Sequence, residues 1–165
     1  MFERLNTPEE IFSFKLGAAL KMENTILEML DELEEHAQRQ ELKTALRQHA
    51  AETHRHVENI EAAFRALGEE VDDSPCPAIE GLQSEGKATI KKTDDAVVDA
   101  VILSAAAETE HHEIAVYETL ITNAEARGAD EVAALLRENL QSEQQTLEQV
   151  KRTSQEIARA GIAVG

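Results

Sequence analysis

Glu110 and Glu113 stand three residues apart in a run that otherwise reads as the apolar face of a helix. Residues three apart on a helix lie one above the other on the same side. The neighbouring slots on that side are Leu103 and Ala106 before the pair, then Tyr117, Leu120 or Ile121, and Ala124 after it. Two carboxylates therefore occupy a stripe that should face a core. An unpaired carboxylate in such a place is costly enough to take up a proton rather than stay ionised. The rest of the chain has to compensate them.

The same interruption recurs in three more helical runs. Thr7-Pro8-Glu9-Glu10 is a helix start, with a capping hydroxyl, a first-turn proline and acids suited to the dipole. The first helix is expected over 8–38, and its stripe from Phe12 and Leu16 to Leu30 and Leu33 is broken at mid-length by Glu23. A second, over 40–67, ends at Gly68; its stripe runs from Leu42 and Leu46 through His49, Glu52 and His56 to Ile60 and Phe64. The short connection makes these two antiparallel neighbours. Thr93-Asp94-Asp95 caps a third helix over 95–127, which contains Glu110 and Glu113. A fourth, over 130–160, places Glu143 in a row of Val132, Leu136, Leu140, Leu147 and Val150, and Gly161 to Gly165 reads as a frayed tail. Between them, 68–94 reads as a loop around Ser74-Pro75-Cys76-Pro77, then a short helix broken near Gly81 and Gly86. Such a segment suits a bundle whose second and third helices are joined by a crossover.

Three prolines and seven glycines, beside plentiful Ala, Leu, Glu and Gln, favour an all-α chain. Its 165 residues suit one domain, 1–165, with a single core. A net charge of −17 argues against a nucleic-acid partner and attracts cations. The lone Cys76 leaves no intramolecular disulfide and no thiolate metal cage. No apolar run approaches ~18 residues and the start lacks a signal-peptide pattern, so a cytoplasmic protein without a membrane partner is expected.

The intruding acids agree in depth. Measured from the turns near 38 and 127, Glu23, Glu52, Glu110, Glu113 and Glu143 fall within roughly 5 Å of one level at 1.5 Å per residue. Helices built independently have no reason to place their defects at one height. Five carboxylates with one or two imidazoles suit two iron ions, or manganese, as in di-metal carboxylate bundles. His49 and His56 both share the face of Glu52, and depth favours His56. His111, about 100° round from Glu110, is expected to support the ligands from outside or to bond at an interface. Tyr117, one turn past Glu113, reads equally as core filler with a bonded hydroxyl or as a group supporting the site. His36, His54 and His112 fall off the stripes and are expected in solvent.

At these residues the chain resembles the YciE/YciF-like group of ferritin-like proteins. The matching pieces are Glu23, His49-Ala-Ala-Glu52-Thr53, Cys76-Pro-Ala-Ile-Glu-Gly81-Leu82, Asp99, Glu110-His-His-Glu-Ile-Ala-Val-Tyr117 and Leu140-Gln-Ser-Glu143. The resemblance implies a ferritin-like four-helix bundle (up-down, long crossover, down-up) with an additional short helix in the crossover, often dimeric, and a di-metal site. The glutamate pair three apart is also similar to rubrerythrin. The family pattern favours His49 over His56. Leu20-Lys21-Met22 stands where relatives tend to have Tyr-Asp-Ala, Leu147 where an acid often follows, and His112 where an aromatic does. The missing acid implies a weakly held second metal.

Two functions follow as expectations. In the first, a stress-related dinuclear protein binds iron or manganese and oxidises Fe(II) or reduces oxygen or peroxide, with Glu52 and Glu143 as candidate bridges. In the second, a non-enzymatic stress or structural protein acts through a homodimer or partner surface near Ile11, Phe12 and Phe14, with a single-metal or vestigial site.

Overall fold

The computed structural model describes residues 4–163, and among them the regular elements are helices only. They are α1 (Pro8–His36), α2 (Gln40–Leu67), α3 (Pro77–Ile90), α4 (Val98–Ala126) and α5 (Asp130–Ala163). α1 opens on a capping box. The Glu10 amide donates to the Thr7 hydroxyl at 3.1 Å, and the Glu10 carboxylate accepts from the Thr7 amide at 3.2 Å. α2 has no cap of its own. Buried Asp99 of α4 instead ties down the turn before it, accepting from the amides of Gln38 at 2.7 Å and Arg39 at 3.1 Å. α2 ends on Gly68, whose φ of 72° is cheap only for glycine.

Four helices form a bundle in which α1 and α5 each pack against both α2 and α4. The pairing is antiparallel throughout. The start of α4 meets the end of α1 through Asp99, and Arg127 beyond its end lies 4.2 Å over the ring of Phe12. Asn59 pairs with Asn139 and His49 with Thr146, which runs α5 against α2. The order is therefore up, down, crossover, down, up. α3 lies along α1 and α4.

Three local features depart from the sequence expectation. α3 is continuous through Gly81 and Gly86, because helical glycine costs only about 1 kcal/mol each and buried Ile79 and Ile90 anchor both ends. α4 begins at Val98 rather than at the Thr93-Asp94-Asp95 cap, since Asp94 spends its carboxylate on a turn with the Ala96 amide at 2.9 Å. α5 runs on through Gly161 to Ala163, so that part of the expected tail is helical; 164–165 lie outside the described residues. The crossover also presses closely on α1. A Cβ at Gly17 would meet the Ser74 amide nitrogen at 2.9 Å and the Asp72 carbonyl at 3.0 Å.

The core is apolar at both ends and polar between. Phe12, Leu16, Ile60, Phe64, Leu120 and Leu136 fill one end. Leu30, Leu33, Leu42, Leu46, Ile102 and Leu103 line the other. Among the described residues no helix is long and apolar enough to cross a membrane.

Candidate metal centre

At the middle of the bundle Glu23, Glu110, Glu113 and Glu143 are all buried, each at most 2% exposed, and His49 and His56 are buried with them. The acids are there because each takes one slot in a helical row whose other members pack, as Met22 and Ile26 do around Glu23. Both imidazoles arrive together for a geometric reason. Seven residues turn an α-helix almost two full turns, so His49 and His56 share a line, about 10 Å apart along α2. Three residues turn it about 60° short, which carries Glu52 to the edge of the bundle. Its side chain is 37% exposed.

Two groups of ligand atoms converge, His49 with Glu110, Glu113 and Glu143, and Glu23 with His56 and Glu143. Glu143 belongs to both. Its Oε1 lies 2.7 Å from His56 Nδ1 and its Oε2 3.8 Å from His49 Nε2. His49 Nε2 is also 3.1 Å from Glu110, and His56 Nδ1 is 3.7 Å from Glu23. Despite these distances neither inward nitrogen is aligned for a hydrogen bond. Of ten buried side-chain polar atoms without a hydrogen-bond partner among the described residues, eight belong to these six residues, including both oxygens of Glu113 and of Glu143. Buried polar groups are normally satisfied, and a cluster of orphans facing one another could hold an ion. The donor set, oxygen-rich with imidazole and no thiolate, fits iron or manganese.

The electrostatics agree. Burial pushes the Glu113 carboxyl well above the ordinary range, and Glu143, Glu23 and Glu110 push it further. Burial also raises Glu23 and Glu143, in each case against the pull of His56. Burial lowers His56, but Glu143 and Glu23 beside it prevail and lift it to about 10. His49 is raised against its burial by Glu110 and Glu52. Such a cluster holds protons that a cation would displace.

Around it lies a hydrogen-bonded support. Tyr117, fully buried, donates its hydroxyl to Glu23. Asn139 donates to the Tyr117 oxygen at 3.0 Å and to the His56 carbonyl at 3.2 Å, and accepts from Asn59 at 2.7 Å. On the other side Glu52 lies 3.6 Å from His49 Nδ1, with the Thr146 hydroxyl at 3.4 Å. A carboxylate behind a histidine fixes the ring orientation, and here it turns Nε2 inward, the nitrogen that a metal would take once its proton leaves.

The sequence expectations fare unequally. Glu23, Glu110, Glu113, Glu143, His49 and His56 meet, and Tyr117 sits beside them. Glu52 joins neither group and sits behind His49 instead. His111 is exposed, turned away by its 100° offset, and does not support the cluster. His36 and His54 are exposed as expected, whereas His112 is half-buried, with burial and nearby Lys15 lowering its pKa. Asn59 and Asn139 were not anticipated. Their signal was position: Asn139 is four before Glu143 and three after Leu136, and Asn59 is three after His56.

Comparison with known proteins supplies the family. Residues 7–163 match DUF892, a domain of unknown function. The chain is 33% identical over 144 residues to Protein YciF of Escherichia coli (strain K12), covering 86% of this chain and 87% of that protein. Among solved structures, YcfI from Rhodopseudomonas palustris superposes with a TM-score of 0.88 at 32% identity, over 92% of this chain and 97% of that one. The E. coli stress protein YciF superposes with a TM-score of 0.85 at 29% identity, over 91% and 96%. The chain belongs to the DUF892 family and has its ferritin-like fold.

Proposed function

We propose that this DUF892 chain is a dinuclear metal protein, loaded with iron or manganese, that reacts with a small oxidant. The observation that carries the reading is the set of eight orphaned polar atoms, which two sub-groups share through Glu143. His49, Glu110 and Glu113 would serve one ion, and Glu23 and His56 the other, with Glu143 between them. When bound, such a pair supplies electrons to oxygen or peroxide.

The protein residues divide the work. Tyr117 and Asn139 fix Glu23 and the backbone at His56, so that this part of the site keeps its shape. Glu113 has no hydrogen-bond partner for either oxygen and, unlike Glu143, no imidazole paired with it, so it is the carboxylate freest to change its contacts. Glu52, 3.6 Å behind His49 Nδ1, would keep Nε2 turned inward. In the metal-free state the acids retain protons, which leave as cations enter. A stress-related role, in keeping with the name of the E. coli relative, follows if that oxidant is a threat to be removed.

A second reading is favoured by one surface. Leu5, Ile11 and Val71, near the start of α1 and in the crossover, are large apolar side chains 43%, 47% and 44% exposed, which a second copy of the chain would cover. There the function would be association, and the metal a staple. The deciding experiment is anaerobic reconstitution with Fe(II), metal analysis, and optical spectra on adding oxygen or peroxide. About two irons per chain with a ferric band on oxidation is the expected result. No bound metal, with a dimer in solution that Ile11→Asp dissociates, would favour the second reading instead.

A further inference from the structure

Beside the candidate centre, a cavity of about 60 Å³ lies between the C-terminal half of α1, the first half of α2, the first half of α4 and the far half of α5. Its wall is built from Ile26, Leu30, Leu33, Leu46, Ile102 and Leu103. His49 and Glu110 close its inner end, and Gln48 and Gln149, both exposed, stand at the α2–α5 side where it meets solvent. Three threonines also line it, yet each spends its hydroxyl on its own helix. Thr109 donates to the Ala105 carbonyl at 2.9 Å, Thr146 to Ser142 at 3.2 Å and Thr153 to Gln149 at 3.1 Å. None has a hydroxyl proton left for the cavity.

Size and polarity together select the occupant. A cavity of roughly 150 Å³ takes a benzene ring, so this one is too small for an aromatic or an alkyl chain. By volume it would take about two waters, but a water needs 2–4 polar partners, which it finds at the ends, at His49 and Glu110 or at Gln48, Glu52 and Gln149, and not along the leucine and isoleucine wall. A diatomic apolar molecule fits both limits. Dioxygen partitions from water into hydrocarbon, whereas hydrogen peroxide has to shed its hydrogen bonds to follow.

We infer that this cavity is a dioxygen-admitting passage to the His49–Glu110 side of the centre. The inference rests on the metal-centre reading above and names the oxidant for it. Ala45 of α2 and Ala106 of α4 line the same space and are only half-buried, one turn before His49 and Glu110, so larger side chains there fill a void rather than overpack a core.

The test has a metal-free arm and a loaded arm. In the metal-free protein under xenon pressure, xenon should occupy this cavity, and Ala45→Val and Ala106→Leu should each displace it. In the Fe(II) protein both variants should hold as much iron as the parent, react about tenfold more slowly with limiting dioxygen, and change by less than about twofold toward hydrogen peroxide. Xenon absent from the cavity overturns the inference, as does an unchanged dioxygen rate at full iron load. Equal slowing toward both oxidants also overturns it, because the variants then act on the centre itself. Iron missing from the parent removes the metal-centre reading and the passage with it, a result that iron analysis alone identifies.

Discussion

On the Glu23 side of the buried cluster, Tyr117 and Asn139 give hydrogen bonds to the carboxylate and to the backbone of His56. On the Glu110–Glu113 side, neither oxygen of Glu113 has a donor, and one oxygen of Glu110 lacks one too. The first half is partly held by the fold, with Glu23 Oε2 and His56 Nδ1 left over, whereas in the second Glu113 is left bare on both oxygens. The difference coincides with the apolar cavity, which reaches Glu110 and His49 and not Glu23. A bundle that only needed stability would have no use for the bare half, since well-packed apolar residues there would serve better.

The largest expected effect falls where the halves meet. Glu143→Ala should remove metal from both, so that anaerobic iron analysis drops from about two per chain to near none. Loss of one iron alone would show that the halves do not share this ligand.

Next in size is the pH response of the metal-free protein, followed as melting temperature. His56 is lifted from 6.5 to about 10, so its contribution is complete below 6.5 and is lost as pH rises through about 10. Glu23, Glu113 and Glu143 are raised above 4.5, so theirs is complete below that value and lost as pH rises through the folded pKa. Both terms have the same sign: the metal-free protein should melt progressively lower from pH 6.5 toward 10. Metal removes the trend by taking the place of the protons. A metal-free melting temperature that rises with pH would contradict this.

Smaller changes separate the halves. Glu113→Met should stabilise the metal-free protein by about 1–4 kcal/mol in denaturant titration while weakening metal binding, because it replaces an unsatisfied buried acid with packing atoms. Tyr117→Phe should do the reverse, costing about 1 kcal/mol and leaving iron content unchanged, because it orphans one oxygen of Glu23 without touching the bare half.

Much of this was legible in the sequence, and the reason is periodicity. Glu23, Glu110, Glu113 and Glu143 interrupt apolar rows at spacings of three and four, and those spacings survive folding unchanged. Glu52 was misplaced because a stripe is about 100° wide and residues 60° off its centre pass as members until a neighbouring helix decides the edge. The same width hid the answer to the histidine question, since the choice between His49 and His56 dissolves once both lie on one line. Asn59 and Asn139 were invisible for a chemical reason: asparagine on a helix reads as surface, and only a partner across the bundle makes it worth burying. The cavity could not be read at all. It is a remainder left when leucines and isoleucines from three helices and Val150 of α5 fail to meet, and no single helix encodes it.

The most direct measurement is anomalous diffraction at the iron absorption edge from crystals of the reconstituted protein. The account requires two anomalous peaks per chain, one within reach of His49, Glu110 and Glu113 and one within reach of Glu23 and His56, with Glu143 between them. One peak, none, or density centred on exposed carboxylates would contradict it.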